Sequence, residues 1–145
     1  GVVLRCAGSG TGAASGCAAI GGTALPDSET FWAGLGDLSA NEYHEAGRWL
    51  WRLSVAPTTP VNAIDAFCFD WAGGQRWVMT DPDDDSPFDI ASKCGGHAIC
   101  FAQNRSAGTG MQPLVPGILA LNQRIKDAMD PHGLINRGRL LGGTH

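Results

Sequence analysis

The chain has 145 residues, enough for one domain with a real core, and it is 43% hydrophobic but only 17% charged. A net charge of −4 with no basic block excludes the electrostatic footprint of a nucleic-acid binder. No apolar run approaches the roughly 20 residues that a membrane-spanning helix needs. The opening "GVVLRCAGSG" has no signal-peptide pattern and no Met, and reads as the middle of a longer chain.

In chain order, "VVLRCAG" (Val2–Gly8) predicts a strand, β-branched at its start and stopped by Gly. "GTGAASGCAAIGG" sets Ala13, Ala14, Cys17 and Ala18 at helical spacing, its small residues suiting close approach to a sheet. "LPDSETFWAGLGDL" opens a second helix, with Pro26 and acidic residues where a helix dipole favours them and with Phe31, Leu35 and Leu38 along one face. "RWLWRLSVAP" sets Trp49, Trp51, Leu53 and Val55 against Leu50, Arg52 and Ser54, a period of two that predicts a half-buried strand ended by "PTTP".

"AIDAFCFDWAGGQRWVMT" predicts a hairpin turning at Gly73 and Gly74. An acidic loop follows, then a short helix from about Pro87 with a Gly stop, then the strand "HAICFAQ" and the loop "NRSAGTGMQP". "PGILALNQRIKDAM" predicts a last helix with Ile118, Leu121, Ile125 and Met129 in one stripe. Five strands with helices between them predict an α+β fold, a ferredoxin-like antiparallel sheet backed by helices.

Among candidate sites, "DPDDD" lacks the mid-loop Gly and distal Glu of a calcium loop and reads as a solvated cap. "GSGTG" (Gly8–Gly12) lacks the spacing of a dinucleotide or nucleotide loop and reads as a strand-to-helix turn. There is no GxSxG elbow. The histidines His44, His97, His132 and His145 are too scattered for a metal site, so none is expected. His97 directly follows Gly95 and Gly96 and is placed to face a neighbouring domain. Arg52 lies on the strand face opposite the tryptophans, where a guanidinium can hold a carboxylate bidentately. The five cysteines, Cys6, Cys17, Cys68, Cys94 and Cys100, are odd in number and without CxxC spacing. They predict free thiols in a reducing compartment, with Cys17, Cys68 and Cys100 among apolar neighbours.

The closing run "LNQRIKDAMDPHGLINRGRL" resembles the C-terminus of FAD-linked oxidases of the vanillyl-alcohol oxidase type. Lys126, Asp130, Pro131, Gly133, Asn136, Gly138 and Arg139 match that pattern, while Arg137 stands where the family has Pro. "FWAGLGD" (Phe31–Asp37), "LWRLSVAP" (Leu50–Pro57) and "GGHAICF" (Gly95–Phe101) look like the FAD-binding subunits of glycolate oxidases. The resemblance runs from about Val2 to Leu141 and covers only the C-terminal half of such a subunit.

It implies that residues 1–145 form a single cap domain over the flavin ring, separated from the N-terminal domain that grips the FAD pyrophosphate. It also implies oxidation of glycolate to glyoxylate, with Arg52 and His97 on the flavin-facing sheet and Asn136 and Arg139 at the seam with the cofactor domain. FAD belongs to the full-length subunit and is not expected on this piece, which is expected to be inactive alone. The implied partners are the chain's own N-terminal FAD-binding domain, a catalytic flavin subunit and an iron–sulfur subunit. The implied location is cytoplasmic, peripheral to the inner membrane through the complex. The sibling catalytic subunits carry paired His and an acid for a metal, whereas this chain offers His97 alone. Two other readings stand beside it: a ligand-binding regulatory module of the ACT type using the "GSGTG" turn, and a docking domain without chemistry.

Overall fold

The computed structural model describes residues 1–101 and 110–137. The chain divides into two compact units, Gly1–Ala40 and Asn41–His145.

The first unit is helical, with α1 (Gly10–Ile20) and α2 (Ser28–Asp37). Ser9 caps α1, its hydroxyl accepting from the Gly12 amide at 3.3 Å. In α2, Phe31 and Trp32 meet edge to face at 5.2 Å, and Leu38 closes the helix in the left-handed region with φ 64°. The strand expected over Val2–Gly8 is absent: the segment has no regular structure, and Val2, Val3 and Leu4 are exposed. A β-branched run becomes a strand only beside a bonding partner, and no described strand pairs with it.

The second unit holds an antiparallel sheet of β1 (Trp49–Ser54), β2 (Cys68–Asp70), β3 (Gln75–Thr80) and β4 (His97–Cys100) in the order β2-β3-β1-β4. With every neighbour antiparallel, this is the ferredoxin-like strand order. The crossover between β1 and β2 carries only a 3-10 turn, Val61–Ala63, where a full helix would sit. The fold class is therefore α+β, as the alternation of elements implies.

One face of the sheet is the core. Trp49, Trp51, Leu53 and Val55 alternate into it and join Ala98 and Cys100 of β4, Ile64 of the crossover, and Ala91 of α3 (Ser86–Lys93). Trp51 is fully buried, stacked edge-on against Phe88 at 4.9 Å, and its indole N–H donates to the Thr80 hydroxyl at 2.9 Å. Arg76, 1% exposed, also lies on this side opposite Leu53. Its guanidinium donates to the carbonyls of Gly73, Pro60 and Thr59 and its Cζ lies 5.2 Å from the Phe69 ring centre, so the crossover loop and the hairpin turn are tied to one cation.

The hairpin reverses earlier than its glycines suggest. Trp71 and Ala72 already have φ of 49° and 52°, before Gly73 at 86°. Asp70 steadies the start of the turn by accepting from the Trp71 amide at 2.7 Å.

"KCGGH" ends α3 in a Schellman arrangement, with the Gly95 amide donating to Ser92 and the Gly96 amide to Ala91. Gly95 takes φ 68°, and Gly96 then passes so close to the Ser54 carbonyl that no side chain fits. His97 enters β4 directly behind it. The last helix, α4 (Pro116–Met129), has the expected bounds, but its stripe of Ile118, Leu121, Ile125 and Met129 is exposed. The cysteines are free thiols; Cys100 is buried and Cys68 half-buried, whereas Cys17, expected among apolar neighbours, is exposed.

Candidate functional site on the open face of the sheet

The second face of the sheet carries Leu50, Arg52 and Ser54 of β1, Gln75, Trp77 and Met79 of β3, and His97 and Ile99 of β4. The register makes these cross-strand partners: Arg52 pairs with Trp77 on one side and with Ile99 on the other, while Ser54 pairs with His97. Arg52 and His97 are thus diagonal neighbours on one face, about 7–8 Å apart by sheet geometry. His97 is exposed and Arg52 is half-buried.

Trp77 is only 3% exposed, lying 4.8 Å from the Tyr43 ring and 5.7 Å from Phe101. The Arg52 guanidinium carbon sits 5.4 Å from the centre of the same Phe101 ring. Two buried donors of this cluster, Arg52 Nε and Trp77 Nε1, have no hydrogen-bond partner. Sequence reasoning named Arg52 and His97 and missed Trp77. Its strand parity was readable, but its position directly across from Arg52 depends on the pairing register.

Beside this face, Tyr43 is buried next to Cys68. Burial, with smaller contributions from Cys68 and Asp70, pushes the Tyr43 phenol up to about 12. Burial likewise raises the Cys68 thiol. Both groups are neutral at physiological pH, so neither is an activated nucleophile.

The turn after α4 is organised by Asp130. Its carboxylate pairs with Lys126 and accepts from the amides of Leu134 and Ile135, both at 2.9 Å. Lys126 also donates to the Ile135 carbonyl at 2.7 Å. The Lys126 ammonium, with those two amides, lowers the Asp130 carboxyl to about 2. Gly133 and Asn136 supply left-handed residues, with φ of 60° and 49°, and Arg137 donates back to the Gly133 carbonyl. Lys126, Asp130 and Gly133 are thereby accounted for by local geometry. Asn136 is exposed on the turn, while Arg139 lies outside the described residues.

Among the described residues there is no cluster of three or more His, Cys, Asp or Glu able to hold a metal ion, and no helix is long and apolar enough to cross a membrane. At the "GSGTG" turn, the first-turn amide of Gly12 is already bonded to Ser9.

No family model matches the chain, and no solved structure matches it. Among curated proteins it is similar to the glycolate oxidase subunit GlcE of Escherichia coli (strain K12), 34% identical over 93 residues. The match takes in 63% of this chain and 25% of that protein, so it spans about a quarter of the relative's length and supports a relation to that subunit.

Proposed function

We propose that this chain is part of a flavin-dependent oxidoreductase acting on a small 2-hydroxy acid, glycolate being oxidised to glyoxylate, and that its second unit forms the cap over the flavin ring. The observation that carries the reading is the 34% identity to a glycolate oxidase subunit. The open face of the sheet supports it, since it presents a guanidinium whose buried Nε has no hydrogen-bond partner, set over the Phe101 ring, where a small carboxylate can be bound.

The described residues fit the substrate side of such a site better than the cofactor's phosphates. The glycine-rich turn at Gly8–Gly12 caps itself through Ser9, so the FAD pyrophosphate belongs on the chain's own N-terminal FAD-binding domain. FAD, when bound, supplies the acceptor for the hydride leaving the hydroxyl-bearing carbon. Arg52 orients the carboxylate, and His97, its diagonal neighbour on β4, receives the hydroxyl proton. Asn136, exposed on the turn after α4, is assigned in this reading to the seam with the cofactor domain, and Arg139, the other seam candidate, lies outside the described residues. A catalytic flavin subunit and an iron–sulfur subunit are the further partners, at the cytoplasmic side of the inner membrane.

The test isolates the natural protein containing this chain, records its flavin absorbance and adds glycolate without oxygen. The expected result is bleaching of the flavin, slowed about tenfold or more by Arg52→Gln, since hydrogen bonds to charged groups carry that much. A preparation with no flavin, or one that glycolate leaves oxidised, would overturn the reading.

A further inference from the structure

We infer that Trp77 is the second donor of a carboxylate seat whose first donor is Arg52, so that the open face of the sheet takes a small monocarboxylate. The inference rests on the placement of Arg52 at the substrate in the reading above, and adds to it a specificity-determining residue and a ligand class.

Buried N–H groups without an acceptor are rare in native folds. Here two occur on directly paired residues, Arg52 and Trp77. Side chains facing each other across an antiparallel pair start about 5 Å apart at Cβ, and both of these flank the Phe101 ring. Arg and Trp carry donors only, so neither can satisfy the other, and the missing partner is an acceptor. No described residue supplies one. Asp70, two residues from Trp77's own partner position on β2, is exposed and turned to the Trp71 amide.

The charge on Arg52 selects an anionic acceptor, and two donors carried by directly paired residues call for a planar group with two oxygens. Arg52 is the single Lys or Arg among the β1–β4 positions of this face, which favours a monoanion over a phosphate group. The surroundings are apolar: Trp77 is buried, Leu50 and Ile99 are half-buried, and Phe101 is 38% exposed. A ligand reaching these atoms must shed its water and be small, as a two- or three-carbon acid is.

The experiment uses the 15N-labelled chain and follows its indole N–H resonances, five from the five tryptophans. Trp77→Phe identifies the Trp77 signal by its loss. Acetate, glycolate and chloride are titrated separately at matched ionic strength. The expected result is a saturable downfield movement of the Trp77 signal with acetate and glycolate but not chloride. Trp77→Phe keeps the ring packing and should weaken acetate binding about tenfold, while Arg52→Gln abolishes the movement.

A Trp77 signal unmoved by acetate, or moved equally by chloride, overturns the inference, and so does the absence of any acetate-specific movement among the five indole signals, a result that needs no variant to fold. So does a Trp77→Phe chain that binds acetate as tightly as the parent. The two proposals fail separately. Acetate binding by the chain alongside a natural protein that glycolate does not reduce keeps the seat and removes the oxidoreductase reading. Flavin reduction with no indole response does the reverse.

Discussion

The α-carbon of Gly96 lies so near the Ser54 carbonyl that an added methyl group would overlap that oxygen and crowd the Val55 side chain. This contact sets how β4 starts beside β1, and hence where His97 stands relative to Arg52. Gly96→Ala should therefore cost about 3 kcal/mol, at the upper end of overpacking effects. Urea unfolding measures it, and a variant within about 0.5 kcal/mol of the parent would show that the two strands can move apart freely.

Arg76 is the buried cation of the core face, and it ends on three backbone carbonyls rather than on a carboxylate. Arg76→Lys keeps the charge but loses the planar fork, and should destabilise the second unit by about 2–3 kcal/mol. Arg76→Met, which leaves all three carbonyls without their donor, should cost more. The order Arg, Lys, Met in unfolding midpoint checks the account, and equal midpoints for Lys and Arg would contradict it.

Tyr43 is the one tyrosine of the chain, so its ionisation can be read without interference. Its folded value of about 12 lies above the ordinary 10 because burial disfavours the phenolate. The sign follows from linkage. The unfolded chain releases this proton first, so the fold keeps its full stability below about pH 10 and loses it as pH rises toward 12. Tyrosinate absorbance should therefore appear late in an alkaline titration and coincide with loss of the aromatic circular dichroism. An ordinary titration centred near 10 with the fold intact would contradict the burial.

The turn after α4 should respond at the other end of the scale. Asp130 is depressed from 3.8 to about 2, so its carboxylate supports the turn fully above about pH 4 and is lost as pH falls through 2. Amide exchange at Leu134 and Ile135 should accelerate across that window. Asp130→Asn, which keeps an acceptor but loses the Lys126 pairing, should show the faster exchange already at neutral pH. Unchanged exchange in the variant would place the cause elsewhere in the turn.

The sequence made some of this legible because local chemistry decided it. The alternation in "WLWRLSV" put the right four residues into the core, and Pro116 marked the start of α4. "KCGGH" announced a helix stop feeding a strand. What escaped reading depends on contacts distant along the chain. Val2–Gly8 has strand composition but no partner among the described strands, and Arg76 is buried by carbonyls 16 and 17 residues earlier. The hairpin turns at Trp71 and Ala72, residues that rarely take positive φ, because the ladder fixes where the reversal must fall. Arg52 was a candidate from its parity alone. Trp77 became one only when the register set it opposite.

Strand β1 is bonded along both edges, to β3 and to β4, and carries fully buried Trp51 and Leu53 on its underside. The main chain beneath Arg52 is consequently anchored from three directions and should be among the last segments to open in native-state exchange. Any molecule settling on that guanidinium meets a stiff floor, so adaptation falls to Phe101 and to the visitor itself, and discrimination works by fit rather than by yielding.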